Sequence, residues 1–369
     1  MEQTDLKNFF LSLVRYGIGH SPYALPKIAN WVSIQDLANK QGLSAIVIDG
    51  IERVPDRLRP PQMLLLQWIG DLMHNYEARY RSYENAIAEL AGFYNSHGYK
   101  MMILKGYACS LDWPKPEHRP CGDIDIWQFG KQKEADDALV SSFKNQDPSF
   151  KIDKSHHHHT VFNWEGFTVE NHYDFVNVHA HRSSAELEKV FKELGKDDSH
   201  FVEVKDASTG SASRVYLPSP NLHALFLIKH MVSHFAAAEI SLRQVLDWAF
   251  FVEEHGKEVD WEWLQSMLDK YHMIEFFNLI NAICMEDLGF AAGLFPTVHF
   301  LPSLKEKVLD DILQPEYGLA GPKGFFSGLV YKYKRWQGNA WKQKLCYKES
   351  RWEYFCSGIW AKMLKPASF

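Results

Sequence analysis

Apolar residues recur at three- and four-residue intervals in the first hundred residues of the chain. The clearest run lies between Gln62 and His97, and it predicts one long amphipathic helix or two helices in series. Residues 33–42 begin with Ser and end in Gly, which predicts a short capped helix. Helical spacing returns after Pro218. The apolar positions of the first long run are Leu65, Trp68, Ile69, Leu72, Tyr76, Tyr80, Tyr83, Ile87, Leu90 and Phe93.

The pattern changes at Gly98, where short and dense apolar runs replace the helical spacing. The segments "YKMMILKG" (99–106) and "DIDIWQF" (123–129) have the length of strands, and "KQKEADDALVSSFKNQ" (131–146) has a helical pattern. The runs "HHHHTVFNW" and "FTVENHYDFV" are separated by Glu165-Gly166, which predicts a β-hairpin. The sequence therefore predicts an α+β fold, with a small mixed-sheet core at 91–217 between helical regions at 1–90 and 218–369.

Two acidic residues, Asp123 and Asp125, open the second strand-like run. Because side chains alternate faces along a strand, these two are expected to point the same way, about 7 Å apart, while Ile124 and Ile126 point into the core. Two carboxylates so placed repel each other unless a cation lies between them, and Mg²⁺ prefers oxygen ligands. The alternative is that this Asp-x-Asp is a solvated turn at the end of a strand.

Three neighbouring features favour a metal site over a solvated turn. Gly122 removes side-chain bulk where a phosphate would approach the backbone. Lys105 and Arg119 place positive charge near the same loop, which suits phosphate oxygens. A later strand-like segment, "FTVENHYDF", carries Glu170, His172 and Asp174 on one face, so a third carboxylate is available.

These residues also resemble a known family. The segments "LKGYA", "RPCGDIDIWQF" and "HHHHTVFNWEGFTVENHYDF" are similar to the motifs of an uncharacterised bacterial nucleotidyltransferase family, a branch of the polymerase-β-like nucleotidyltransferase superfamily. The segment "LFLIKHMVSHFAAAEISLRQVLDW" resembles that family's helical part, so the resemblance covers about residues 80–255. The chain departs from the family at Asn171, where an apolar residue is usual.

The resemblance implies that an acceptor hydroxyl attacks the α-phosphate of a nucleoside triphosphate and that pyrophosphate is released. Asp123, Asp125 and Glu170 would be the catalytic residues and would hold two Mg²⁺ ions. The acceptor would be a small molecule, a protein or an RNA. A toxin-antitoxin or defence-type enzyme and a nucleotide-binding module without turnover are the alternatives. The nucleotide-binding residues implied are Lys105, Gly106, Arg119, Gly122, His172, His230 and His234.

Two histidine groups and one basic segment admit more than one interpretation. His230 and His234 share a helical face, where they would pack, contact the nucleotide or bind a transition metal. The run at 156–159 is expected to alternate faces within a strand, for ligand contact or for packing. The stretch 331–365 has nine Lys or Arg against two Glu, interleaved with aromatic residues. It would be a packed amphipathic helix or a surface for an anionic partner, such as an acceptor, a nucleic acid or a membrane surface.

Composition and charge narrow the class of protein. The 369 residues are 46% hydrophobic and 23% charged, as in an ordinary globular protein of two or three domains. A net charge of -6 argues against a protein that coats nucleic acid with its whole surface. Five cysteines without a CxxC spacing predict reduced thiols. With no secretory signal or membrane-spanning segment in the pattern, a cytoplasmic location is expected.

Overall fold

A computed structural model describes residues 3–23, 25–26, 30–144, 147–179, 181–207, 209–319, 321–322 and 324–349. It confirms the α+β class, because a six-stranded mixed sheet is combined with many helices. The helices are α1 (Gln3–Gly17), α2 (Trp31–Gln41), α3 (Ser44–Ile51), α4 (Gln62–Leu72), α5 (Ala78–Ser96), α6 (Tyr107–Ser110), α7 (Gln132–Phe143), α8 (Arg182–Leu194), α9 (Pro220–Ala237), α10 (Leu242–His255), α11 (Trp261–Lys270), α12 (Ile274–Ala282), α13 (Pro302–Leu313), α14 (Phe325–Gly338) and α15 (Ala340–Cys346).

The chain forms two compact units, each built from segments that are not contiguous in sequence. The sheet unit contains Tyr80–Leu111 and Cys121–Leu227, with residues 348–349. The helical unit contains Asp112–Pro120, Ile228–Tyr347 and the described part of Met1–Arg79. Two of the boundaries between the units therefore fall inside helices, one in α5 and one in α9. The three domains at 1–90, 91–217 and 218–369 stay a prediction.

The sheet of the sheet unit is mixed, with strand order β3-β4-β2-β1-β6-β5. The pairs β1/β6 and β2/β4 are parallel, whereas β1/β2, β3/β4 and β5/β6 are antiparallel. This arrangement puts β2 and β4 side by side although they are distant in sequence. The strands are β1 (Met102–Ile103), β2 (Ile124–Trp127), β3 (His159–Trp164), β4 (Phe167–His172), β5 (Phe201–Lys205) and β6 (Ala212–Tyr216).

One face of this sheet forms the hydrophobic core of the sheet unit. Ile124 and Ile126 of β2 are fully buried in it, as predicted, with Val169 of β4. They belong to the same cluster as Ile87 and Leu90, from the apolar positions of α5. The opposite face of β2 and β4 carries Asp125, Glu170 and His172, together with Trp127, whose ring packs on Phe175.

The helical run predicted between Gln62 and His97 is confirmed as α4 and α5 in series, joined by a π-helical turn at Met73–Glu77. The short helix predicted at 33–42 is also present, but it begins at Trp31, because the side chain of Asn30 accepts a hydrogen bond from the backbone N–H of Ser33. It ends before Gly42, whose left-handed backbone closes the helix.

The predicted hairpin is confirmed as β3 and β4. Glu165 and Gly166 have φ angles of 48° and 80°, the positive values that a tight hairpin turn requires. The prediction that the whole histidine run lies in a strand is wrong, since β3 begins only at His159. The reason is that the carbonyl of His158 accepts hydrogen bonds from the backbone N–H groups of Tyr173 and Asp174, which turns the chain away from the sheet ladder.

A histidine in the helical unit gives one testable pH dependence. The imidazole of His255 lies 3.1 Å from Asp112 and 3.3 Å from Glu258, and the hydrogen bond with Asp112 raises the pKa of His255 to about 9. Burial raises the pKa of Asp112 despite this partner, which reduces the net stabilisation that the ion pair contributes. A histidine whose folded pKa is raised stabilises the fold fully below its unfolded pKa and loses that contribution as the pH rises through the folded value.

The free energy of unfolding is therefore expected to fall by about 1 kcal/mol between roughly pH 6.5 and 9, a value discounted for the exposure of the imidazole. His255→Gln should remove most of this pH dependence. Urea unfolding across the pH range measures it. An equal fall in the variant would assign the effect to other groups.

Candidate active site

The centre of the candidate site is formed by facing residues of the parallel pair β2/β4. Asp125 pairs with Glu170 in the register of these strands, and Trp127 pairs with His172. The ligand atoms of Asp125, Glu170 and His172 all lie within 4.8 Å of one another. Three polar groups from two strands therefore meet on the face of the sheet opposite the hydrophobic core.

The alternation of the strands explains this placement and also the departure at Asn171. Glu170 and His172 lie on one face of β4, so Asn171 lies on the other. There its side chain donates a hydrogen bond of 2.8 Å to Asp136 of α7, which also accepts from Thr160 at 2.7 Å. Asn171 is fully buried. It thus replaces an apolar contact with a polar link between the sheet and α7.

Lys105 supplies the positive charge nearest to the carboxylates. It follows β1, and its Nζ lies 3.0 Å from Oδ1 of Asp125. Asp125 is only 1% exposed, and burial alone would raise its pKa. The charge of Lys105 and the hydrogen bond with His172 overcome this effect and hold the pKa of Asp125 well below its usual range. Asp125 is therefore a carboxylate at neutral pH.

The other two acids, Glu170 and Asp123, have raised pKa values. Burial, followed by the charge of Asp125, raises the pKa of Glu170. The same two causes raise the pKa of Asp123. Two carboxyl groups with raised pKa values next to a buried carboxylate are the electrostatic pattern expected at a site that favours a divalent cation. A hard cation with oxygen ligands fits this donor set.

Asp123 lies just before β2 and is exposed, so it is not part of the three-residue group. Its backbone carbonyl accepts a hydrogen bond of 2.9 Å from the hydroxyl of Tyr83. That hydroxyl also fills the space beside Gly106, where an added Cβ would lie 2.6 Å from it. Gly106 has a φ of 64°, so both its backbone and its surroundings require glycine. Gly122 is exposed, and nothing lies within 4 Å of where its Cβ would be.

Arg119 has a partner that the sequence does not reveal. It belongs to the helical unit, where its guanidinium donates to both carboxylate oxygens of Asp247, at 2.8 and 2.9 Å. Trp113 also donates to Asp247, at 3.0 Å. Arg119 is 6% exposed and Asp247 is 4% exposed. These contacts make Arg119 part of a buried ion pair, and its role in nucleotide binding stays a prediction.

His230 and His234 also belong to the helical unit. Their ring centroids are 4.4 Å apart on α9, as the four-residue spacing predicts. The contact with a nucleotide stays a prediction.

A group of imidazoles lies beside the carboxylates, and only the four-histidine run gave a sign of it in the sequence. His159 pairs directly with His172 across the β3/β4 hairpin. The ligand nitrogens of His158, His159 and His172 all lie within 4.8 Å of one another. Burial and the neighbouring imidazoles lower the pKa of His158 to about 2 and that of His159 to about 3. Both rings are therefore neutral at physiological pH.

The basic segment 331–365 is described as far as residue 349, and its remainder lies outside the described residues. In the described part, Lys342 of α15 is fully buried, with its Nζ 2.5 Å from Asp311 and 2.8 Å from the carbonyl of Ala238. This lysine therefore serves packing. An anionic partner for the segment stays a prediction.

Four cysteines in the described part of the chain, Cys109, Cys121, Cys284 and Cys346, form no disulfide bond, as predicted, and Cys356 lies outside it. Among the described helices, none is both long and apolar enough to cross a membrane.

Comparison with known proteins places these residues in a wider group. The family model described as "Uncharacterised nucleotidyltransferase" matches residues 28–289 of the chain. This range contains every candidate site residue named above and exceeds half of the 369 residues. Neither the curated proteins nor the solved structures give a significant match.

Proposed function

Because the chain belongs to the uncharacterised nucleotidyltransferase family, we propose that it transfers a nucleoside monophosphate from a nucleoside triphosphate to a hydroxyl acceptor in a Mg²⁺-dependent reaction. Pyrophosphate is the leaving group. The observation that carries this proposal is the register of β2 and β4, which places Asp125 beside Glu170. Two acids from different strands, with Asp123 nearby, are the oxygen ligands that this chemistry needs for its metal ion. Lys105 contacts Asp125 and adds positive charge.

The residues fit a bound Mg²⁺. Asp125 and Glu170 would hold it, with Asp123 as a further ligand from the preceding loop. Burial, and after it the charge of Asp125, raises the pKa of Glu170 and of Asp123, and a divalent cation would offset both effects, which supports this assignment. When bound, Mg²⁺ supplies Lewis-acid stabilisation of the charge on the α-phosphate.

The side chains of the protein have separate tasks in the proposed reaction. Lys105 neutralises phosphate charge, and its contact with Asp125 keeps it at the site. Nε2 of His172 lies 3.3 Å from Oδ1 of Asp125 and, when it carries a proton, donates to that carboxylate and so orients it. Glu170 or Asp125 takes the proton of the acceptor hydroxyl.

Nucleotide binding tests the site without knowledge of the acceptor. Titration calorimetry with a triphosphate that cannot be cleaved between its α- and β-phosphates should show binding that requires Mg²⁺. In the Asp125→Asn variant, binding of the triphosphate should no longer depend on Mg²⁺. Binding of equal strength with and without Mg²⁺ in the original protein would contradict the proposal.

The Gly122→Ala variant should affect the binding of phosphate at the backbone without affecting the stability of the fold. The added methyl group would meet open space, so the free energy of unfolding should stay within about 0.5 kcal/mol. If phosphates approach the backbone here, the affinity for the triphosphate should fall by about tenfold, the equivalent of one lost hydrogen bond. Calorimetry and thermal unfolding give the two values. Unchanged affinity would remove Gly122 from the nucleotide site.

A further inference from the structure

Three imidazoles converge on one point next to the carboxylates. His158, His159 and His172 bring their ligand nitrogens within 4.8 Å of one another. A tetrahedral zinc ion with Zn–N bonds of about 2.0 Å separates its ligand nitrogens by about 3.3 Å, so small ring rotations would close the observed spacing. None of the three was required for holding Mg²⁺ above.

The backbone holds these three residues in place before any ligand binds. His159 and His172 are direct partners across the antiparallel hairpin β3/β4. The carbonyl of His158 accepts hydrogen bonds from the backbone N–H groups of Tyr173 and Asp174, at 3.0 and 3.1 Å. The hydroxyl of Tyr173 donates to the carbonyl of His156 at 2.8 Å. The loop that carries His158 is therefore fixed to the end of β4, beside His172.

The nitrogens of the cluster are short of hydrogen-bond partners. Nδ1 of His158 and Nδ1 of His159 are buried, and neither has a hydrogen-bond partner among the described residues. His159 as a whole is only 6% exposed. A carboxylate oxygen of Glu170 lies 3.7 Å from its Nδ1, beyond hydrogen-bond distance. A buried nitrogen without a partner is costly, and a metal ion would satisfy it.

The imidazole ring of His172 has the orientation of a metal ligand. Its Nδ1 lies 3.2 Å from the carbonyl of Asp174 and donates to it, which leaves the lone pair of Nε2 available. Nε2 lies 3.3 Å from Asp125 and 3.7 Å from Glu170, so it faces two acids. A lone pair that faces carboxylate oxygens is favourable only if a proton or a cation lies between them.

We propose that His158, His159 and His172 form a second metal site, which takes a transition-metal ion of the zinc class. Imidazole ligands favour Zn²⁺, Co²⁺, Ni²⁺ and Fe²⁺ over Mg²⁺. Three protein ligands leave one position open, the arrangement of sites at which a metal contacts water or substrate. Oε2 of Glu170 lies 3.7 Å from both His159 and His172, so this acid borders the new site.

This site does not depend on nucleotidyl transfer, so it can be tested on its own. Equilibrium dialysis with Co²⁺ in excess Mg²⁺ should yield one tightly bound Co²⁺ per chain. The bound ion should show the intense visible absorption of four- or five-coordinate Co²⁺. His158→Gln and His159→Gln should each weaken binding by at least about 100-fold, because each removes a ligand. Asp125→Asn should leave the stoichiometry unchanged while it impairs the Mg²⁺ site.

Two controls show whether other histidines bind the ion. His97→Ala alters an exposed ring just after α5, and His230→Ala with His234→Ala removes a close histidine pair on α9. Both should keep the bound Co²⁺. Circular dichroism checks that the glutamine variants are folded. If they do not fold, the X-ray absorption spectrum of the original protein with zinc should still show three imidazole ligands.

The proposal is overturned if Co²⁺ is six-coordinate, if it fails to bind in excess Mg²⁺, or if the loss of His230 and His234 removes it instead. An X-ray absorption spectrum dominated by oxygen ligands would also overturn it.

Discussion

Asp125→Asn is expected to lower nucleotidyl transfer by at least about 10³-fold, since several kcal/mol of charge stabilisation by a metal would be lost. Asp125 is the buried carboxylate that contacts Lys105, His172 and the neighbouring Glu170. Asn has the same size but no charge, so the metal site loses its strongest ligand while the packing is kept. Steady-state rates of pyrophosphate release measure the effect.

Asp136 provides a matched control for this variant. It is also a buried aspartate of the sheet unit, but it lies at α7 and accepts hydrogen bonds from Thr160 and Asn171 on the opposite face of the sheet. Asp136→Asn is expected to change stability and to leave the rate per folded molecule within about threefold, a difference below 1 kcal/mol. Equal rate losses in the two variants would mean that the loss comes from damage to the sheet.

Arg119→Met is expected to lower the free energy of unfolding of the helical unit by about 3–5 kcal/mol. The change removes the guanidinium and leaves Asp247 as a buried charge whose remaining partner is the indole of Trp113. Lys at this position keeps the charge but cannot donate to both oxygens at once, so Arg119→Lys should lose part of this stability. Urea unfolding measures both values.

A second substitution separates the ion pair from other roles of Arg119. Asp247→Asn combined with Arg119→Met removes the buried charge but keeps an acceptor for Trp113, so it should restore much of the lost stability. Lys196→Met breaks an exposed ion pair with Glu193 and should cost less than about 1 kcal/mol. If Arg119→Met is as stable as the original but binds the triphosphate more weakly, Arg119 acts on the nucleotide.

The sequence was most informative about the carboxylates. The alternation in "DIDIW" and "FTVENH" is enough to separate Ile124 and Val169 from Asp125 and Glu170, and the burial of the two apolar residues confirms this. It did not show that Asp123 lies outside the strand and is exposed. The end of a strand depends on its pairing with neighbouring strands, which a local pattern does not contain.

Contacts between distant parts of the chain explain most of what could not be predicted. Arg119 reaches Asp247 across 128 positions, and no local pattern indicates that partnership. The strands β5 and β6 were missed because only Val204 of β5 is buried and charged residues lie among its exposed positions. The histidine run was noticed, but its turn at His158 depends on hydrogen bonds from Tyr173 and Asp174, which follow β4.

We propose that Asp123 and Asp125 support transfer of the α-phosphoryl group of a nucleoside triphosphate. The most direct test incubates the protein with Mg²⁺, a cell extract and each triphosphate in turn, labelled at the α- or at the γ-phosphate. We predict that α-label enters a product and γ-label leaves as pyrophosphate, and that Asp123→Asn and Asp125→Asn each abolish both. Transfer of the γ-label to a product, or α-label transfer that persists in both folded variants, would contradict this role of the two aspartates.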